Sequence, residues 1–356
     1  MKASSKKILV SPLNWGLGHA TRCVPIIKAL LDNNFEVVLA SDGVALKLLQ
    51  KEFPKLTSYE LSSYQIEYAT KAHLFKLKML LNSHKVFNAM RKERKEVEQI
   101  IEKEQIDGLI SDNRLGVYSR KVPNVFITHQ LNVLSGATTA LSSWWHRRIF
   151  KKYDFIWVPD FEHEPNLTGK LGHLKKKLNQ MRYLGPLSRF TTSAQKESFD
   201  LMVLLSGPEP QRTLLEEKLL DELSRFKGKI VFVQGKIQSE QKSTSIANAS
   251  NTIQKVNFMQ SEELELHLKQ SKLILCRSGY TTVMDLAKLG KKAFFIPTPG
   301  QYEQEYLAER LDALQIVPFC SQNEFNLKAL DRAGNYEGLS VFSESIDWSS
   351  LFNEAF

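Results

Sequence analysis

Apolar residues in this chain fall into short runs separated by longer stretches in which they recur every three to four positions. Residues 8–10, 36–40, 108–110, 125–128 and 155–158 have strand length, while 21–33 and 44–51 carry helical spacing. Such alternation predicts a parallel, doubly wound sheet with helices packed against it. The pattern pauses over the polar residues 188–198 and restarts at 200–205. It then runs through a helix over 210–225 and a strand over 229–234, and a Ser/Asn/Gln-rich stretch over 238–251 reads as a surface loop. Residues 272–276 form the next strand, Arg277-Ser278-Gly279 turns the chain, 280–289 is helical until Gly290 stops it, and 292–296 completes a βαβ unit. The expectation is two Rossmann-like α/β domains, residues 1–188 and 189–356, facing a cleft. The last helix is able to pack back on the first domain.

Composition narrows the class. A chain of 356 residues with 42% hydrophobic and 24% charged content supports two packed cores, and no apolar run approaches the roughly 20 residues that cross a bilayer. No apolar secretory segment precedes the first strand, which leads us to expect a cytoplasmic protein. Three widely spaced cysteines, Cys23, Cys276 and Cys320, argue against a disulfide framework or a zinc site. The net charge of +9 is uneven: residues 1–190 carry +13 and residues 191–356 carry −4. Basic, apolar stretches at 71–95 and 143–153 suit a peripheral position on the inner face of a membrane, or a core-facing helix with a solvated basic face. No arginine-rich repeat or RNA-binding aromatic motif supports a nucleic-acid partner.

The loops that follow the strands hold the chemistry. Asn14-Trp15-Gly16-Leu17-Gly18-His19 joins the first strand to the first helix, where doubly wound sheets place ligands. Thr21 stands where a dinucleotide loop would have its third glycine, so NAD is not favoured. Asp112, Arg114, His129 and Gln130 end neighbouring strands and are candidate acceptor contacts alongside Asn14, Gly16 and Gly18, with local hydrogen bonding as the alternative. Ser206 and Gly207 open the second domain, where their N–H groups suit a diphosphate and Arg212 would supply charge; a Pro-initiated helix is the plainer reading. The Arg277–Gly279 turn offers an anion the unpaired N–H groups of a helix start. No Asp-x-Asp pair occurs, and no metal is expected.

One segment also carries a likeness. Phe258-Met259, Cys276-Arg277-Ser278-Gly279, Thr281-Thr282, Asp285-Leu286-Ala287, Gly290, Pro297 and Gln304-Glu305-Tyr306 together resemble the C-terminal half of the lipid-linked N-acetylglucosaminyltransferases of peptidoglycan synthesis and their GT-B relatives. The resemblance implies a GT-B fold and an inverting, metal-independent transfer from a UDP-sugar to a lipid-linked or cell-envelope acceptor. It further implies Phe258 and Met259 beside the uracil, and Arg277, Ser278, Gly279, Tyr280, Thr281 and Thr282 around phosphate. Asp285 would hold the ribose, and Gln304 with Glu305 the donor sugar. His19 matches the histidine of the family's acceptor loop and is the expected general base; bracing its helix is the alternative role. Asp285 and Glu305 stand where the family more often has Glu and Gln. A UDP-sugar 2-epimerase of the same architecture, or a noncatalytic basic protein that binds lipid or nucleic acid, are the competing functions.

Overall fold

A computed structural model describes residues 5–15, 17–64, 83–132, 148–236, 238–248, 250–342 and 346–356, with the side chains of 83–87 excepted. The chain divides into two compact units, Met1–Arg189 with Ser345–Phe356, and Phe190–Glu344.

The first unit is built on seven parallel strands: β1 (Lys7–Pro12), β2 (Glu36–Ser41), β3 (Ser58–Glu60), β4 (Gly108–Asp112), β5 (Asn124–Ile127), β6 (Phe155–Val158) and β7 (Met181–Tyr183). Their spatial order is β3-β2-β1-β4-β5-β6-β7, so the winding reverses between β1 and β4. In open α/β sheets the crevice at such a reversal, beyond the carboxyl ends of the strands, is where ligands bind. Alternate residues serve opposite faces: Ile8, Val10, Val37 and Leu39 pack with helices α1 (Gly18–Asp32) and α2 (Gly43–Glu52), while Leu9, Val38 and Ala40 pack with α3 (Ser83–Glu104). Both faces are apolar because both are covered.

The second unit has β8 (Phe199–Leu204), β9 (Gly228–Val233), β10 (Ser243–Ala247), β11 (Asn251–Val256), β12 (Ser271–Cys276) and β13 (Lys292–Phe295), in the order β10-β11-β9-β8-β12-β13. Helices α4 (Gln211–Glu222), α5 (Ser261–Gln270) and α6 (Tyr280–Lys288) lie between strands, and α7 (Tyr302–Ala313) follows β13. Here the reversal lies between β8 and β12. The final helix, α8 (Trp348–Ala355), belongs to the first unit, where Phe352 and Ala355 are buried in the α1 core. Gly108 leaves room for this packing: a Cβ there would stand 2.4 Å from the Phe356 ring.

The stretch expected as a loop over 238–251 contains instead an edge strand, β10, antiparallel to β11 and exposed along its length. Its Ser/Thr content hides it from a hydrophobic pattern because neither face is buried. The basic stretches lie partly outside the described residues, from 71 to 82 and from 143 to 147. No described helix is long and apolar enough to cross a membrane.

Candidate functional site

At the carboxyl edge of the first sheet the reversal between β1 and β4 gathers four polar side chains. His19 sits in the first turn of α1, Arg22 one turn further on the same face, Asp112 ends β4, and His129 follows β5. Asp112 and Arg22 are buried and doubly bonded: Arg22 Nε donates to Asp112 Oδ2 at 2.5 Å, and Nη2 donates to Oδ1. Arg22 Nη1 lies 3.0 Å from His129 Nδ1. His19 Nδ1 lies 3.1 Å from Asp112 Oδ1 and 2.7 Å from Arg22 Nη2, and His19 Nε2 has no hydrogen-bond partner among the described residues. Burial pushes the Asp112 carboxyl up, but the charges of Arg22 and His19 more than reverse this and hold it at about 2. His19 is displaced below its ordinary 6.5, first by burial and next by the Arg22 charge, with Asp112 pulling the other way. The ring is therefore neutral at physiological pH and chemically able to take a proton.

Two of the expected acceptor contacts prove to be structural. Asn113 takes a left-handed φ of 55°, which doubles the chain back after β4. Arg114 is then fully buried, donating to Glu93 Oε1 at 2.5 Å, Asp42 Oδ1 at 2.6 Å and the Ser62 carbonyl at 3.0 Å. A guanidinium so enclosed does not reach an acceptor, which corrects the expectation for Arg114. Asn14 is likewise committed: its amide donates to Asp42 Oδ2 at 3.1 Å and its carbonyl accepts from Ala45 N–H at 3.3 Å. It ties the β1 loop to the start of α2. Gly18 opens α1 and accepts from Thr21 Oγ1, Gln130 is half-buried with its N–H on Thr128 Oγ1, and Gly16 lies outside the described residues.

The second unit brings two loops to the reversal between β8 and β12, and a third, after β11, lies further along the same carboxyl edge. Ser206 and Gly207 are exposed after β8, and Gly207 has a φ of 102° that L side chains rarely adopt. Gly279 precedes α6, whose first-turn N–H groups have no intrahelical partner and no side-chain cap. A Cβ at Gly279 would meet only Thr282 Oγ1, at 3.9 Å, so an anion has room to approach the turn. Thr281, Thr282 and Asp285 are half-buried on α6, Tyr280 is buried, and Phe258 and Met259 are half-buried after β11.

Both arginines expected at the phosphates are corrected. Arg277 is 1% exposed and donates to the carbonyls of Ile296 (3.1 Å), Pro297 (3.0 Å) and Gln211 (3.0 Å) and to Gln322 Oε1 (2.8 Å). It braces the turn from beneath rather than facing a ligand. All those acceptors are neutral, and burial brings this guanidinium down to about 10, so a buried cation with no carboxylate partner among the described residues lies under the turn. Arg212 is 5% exposed and spent on Glu216 at 3.0 Å, on Glu209, and on the Gln234 carbonyl at 3.1 Å. Ser278 Oγ donates to the Gln304 carbonyl at 2.7 Å. Gln304 Oε1 accepts from Thr298 N–H at 2.9 Å and Glu305 Oε1 from Gly300 N–H at 2.8 Å, so both side chains pin the loop before α7. Arg22, Asp42 and Glu93 went unmarked in the sequence. The i, i+3 spacing of His19 and Arg22 was the available signal for the first, and nothing local marks the other two.

The two sheets, both with a reversed winding and ligand loops at their carboxyl edges, define a GT-B glycosyltransferase architecture. The MurG structure from Acinetobacter baumannii shares this fold with a TM-score of 0.62 at 13% identity, covering 99% of each chain. Residues 210–335 match the Glycosyltransferase family 28 C-terminal domain. An uncharacterized glycosyltransferase of Methanosarcina mazei is 26% identical over 329 residues, 86% of this chain and 84% of the relative. The UDP-N-acetylglucosamine–N-acetylmuramyl-(pentapeptide) pyrophosphoryl-undecaprenol N-acetylglucosamine transferase of Haemophilus ducreyi is 21% identical over 194 residues, 54% of this chain and 51% of the relative. The chain is a glycosyltransferase of the GT-B type.

Proposed function

We propose that the chain transfers a hexose or N-acetylhexosamine from a UDP-sugar to a hydroxyl of a lipid-linked or cell-envelope glycan, with inversion and without a metal. The observation that carries this reading is the His19–Asp112 contact at the sheet reversal: a neutral imidazole whose Nδ1 adjoins a carboxylate and whose Nε2 has no partner among the described residues. With the proton on Nδ1, Nε2 takes the acceptor's hydroxyl proton as its oxygen attacks the anomeric carbon, and Asp112 stabilises the resulting imidazolium. The bond to the leaving diphosphate breaks as the new one forms. Its charge is met by the N–H groups opening α6 and by those of Ser206 and Gly207, with the buried Arg277 cation behind them. Asp285 accepts from the ribose hydroxyls, Phe258 and Met259 flank the base, and Gln304 and Glu305 shape the sugar end. The Haemophilus relative, which uses a UDP-sugar and a polyprenol-linked acceptor, supports the choice of both substrates. The basic first domain would assist a peripheral position at the inner leaflet.

The test is release of UDP from a panel of UDP-sugars, with and without polyprenol-linked glycan extract and with a chelator. Acceptor-dependent release that survives chelation and collapses in His19→Ala is expected. Release of free isomerised sugar without an acceptor would point to an epimerase instead.

A further inference from the structure

Arg22 is 3% exposed, and its guanidinium touches three residues at once. Nε and Nη2 hold the two Asp112 oxygens, Nη2 lies 2.7 Å from His19 Nδ1, and Nη1 lies 3.0 Å from His129 Nδ1. A guanidinium carries only donors and keeps its proton. A ring nitrogen in hydrogen-bond contact with it must offer a lone pair, and a neutral imidazole with its lone pair at Nδ1 carries its proton at Nε2. At His19 the same nitrogen also adjoins Asp112 Oδ1, which would ask for a proton there. That oxygen is farther away, at 3.1 Å, and already accepts from Arg22.

We propose that Arg22 is a positioning residue that sets the protons of both histidines, holding His19 and His129 in the free protein as Nε2–H tautomers. This deepens the proposed transfer and rests on it for the role of His19. At His19 the resting site then presents an Nε2–H donor, suited to gripping an electron-rich oxygen of the acceptor. His19 becomes the base when Nδ1 exchanges its Arg22 contact for Asp112: Nε2 gives one proton to solvent and Nδ1 takes one from solvent, with no net change in charge. Arg22 thereby fixes the share of molecules ready to react, and it shields the ring from the full charge of Asp112.

Proton positions on histidine rings are read directly by long-range proton–nitrogen correlation spectra of protein labelled at its histidines. Such spectra would be recorded at about pH 8, above the ordinary histidine range, with the signals assigned through His19→Gln and His129→Gln. The wild type should show both rings as Nε2–H. Arg22→Met, which removes every donor but keeps the stem, should move the His19 proton to Nδ1, where only Asp112 remains to receive it. Arg22→Lys keeps the charge with one small head group, so at least one of the two rings should lose its Nε2–H form. A wild-type His19 spectrum of the Nδ1–H type overturns the proposal without any variant, and so do unchanged tautomers in a folded Arg22→Met protein. No substrate enters these spectra. A failure here leaves His19 as base intact, whereas full activity of His19→Ala removes the base and leaves the tautomers standing.

Discussion

Each sheet has an arginine beside its reversal, and the two are used in opposite ways. Arg22, beside the reversal in the first sheet, is neutralised by Asp112 and in contact with two histidines. Arg277, beside the reversal in the second sheet, is surrounded by neutral oxygens and backs a turn of main-chain donors. The first arrangement can move a proton because it sets a neutral imidazole, His19, beside a charge-balanced Arg22–Asp112 pair. The second cannot, but it leaves net positive charge under a helix start, which suits a ligand that arrives already negative. In the proposed transfer, proton chemistry and anion binding thus fall to different units of one chain.

The largest effect should come from His19→Ala. Loss of a general base lowers transfer by about 10²- to 10⁴-fold, and because the substitution is confined to the first unit, UDP affinity should not change. A matching loss of UDP affinity would erase the distinction between the two edges. Next comes Arg277→Met, which strips four acceptors of their donor in a buried place and should destabilise the second unit by about 3–5 kcal/mol. Thermal unfolding that resolves the two units would show it, and Arg277→Lys should rescue little, since a single ammonium cannot span the four oxygens. A fully stable Arg277→Met protein with weakened UDP binding would instead restore this arginine as a direct ligand.

Asp285→Ala is smaller: losing hydrogen bonds from two ribose hydroxyls to a carboxylate should weaken UDP by about 1.5–3 kcal/mol. Smaller again is the pH response. His19 must be neutral to act, and its displacement below 6.5 puts the acid limb of the transfer rate below that value, so activity should persist as pH falls through 6.5. The same displacement favours the folded state above pH 6.5 and is lost as pH falls through the lowered value. The Asp112 contribution is present above 3.8 and disappears as pH falls toward about 2. An acid limb above 6.5 would mean that the Asp112 charge outweighs Arg22 at the ring.

Much of the architecture was legible because parallel strands covered on both faces are apolar throughout, so β1, β2, β4, β5, β8 and β12 stand out as runs. The edge strand β10 was not, since nothing covers it. At the candidate site the loops were legible as loops, because strand-to-helix turns announce themselves by glycine and position. The direction each polar side chain takes was not. Arg114 read as an acceptor contact and Arg277 as a phosphate contact, but a left-handed residue before one and four oxygens around the other turn both inward. Arg22, hidden within an apolar helix, went unmarked. Its partner Asp112 is 90 residues away, and only the pairing of β1 with β4 brings them together.

The most direct test of the division between the two units is calorimetric titration of UDP into wild type, His19→Ala and Asp285→Ala. The account predicts binding to the first two with equal affinity and a clear loss in the third. Equal binding by all three, or a loss in His19→Ala alone, would contradict it.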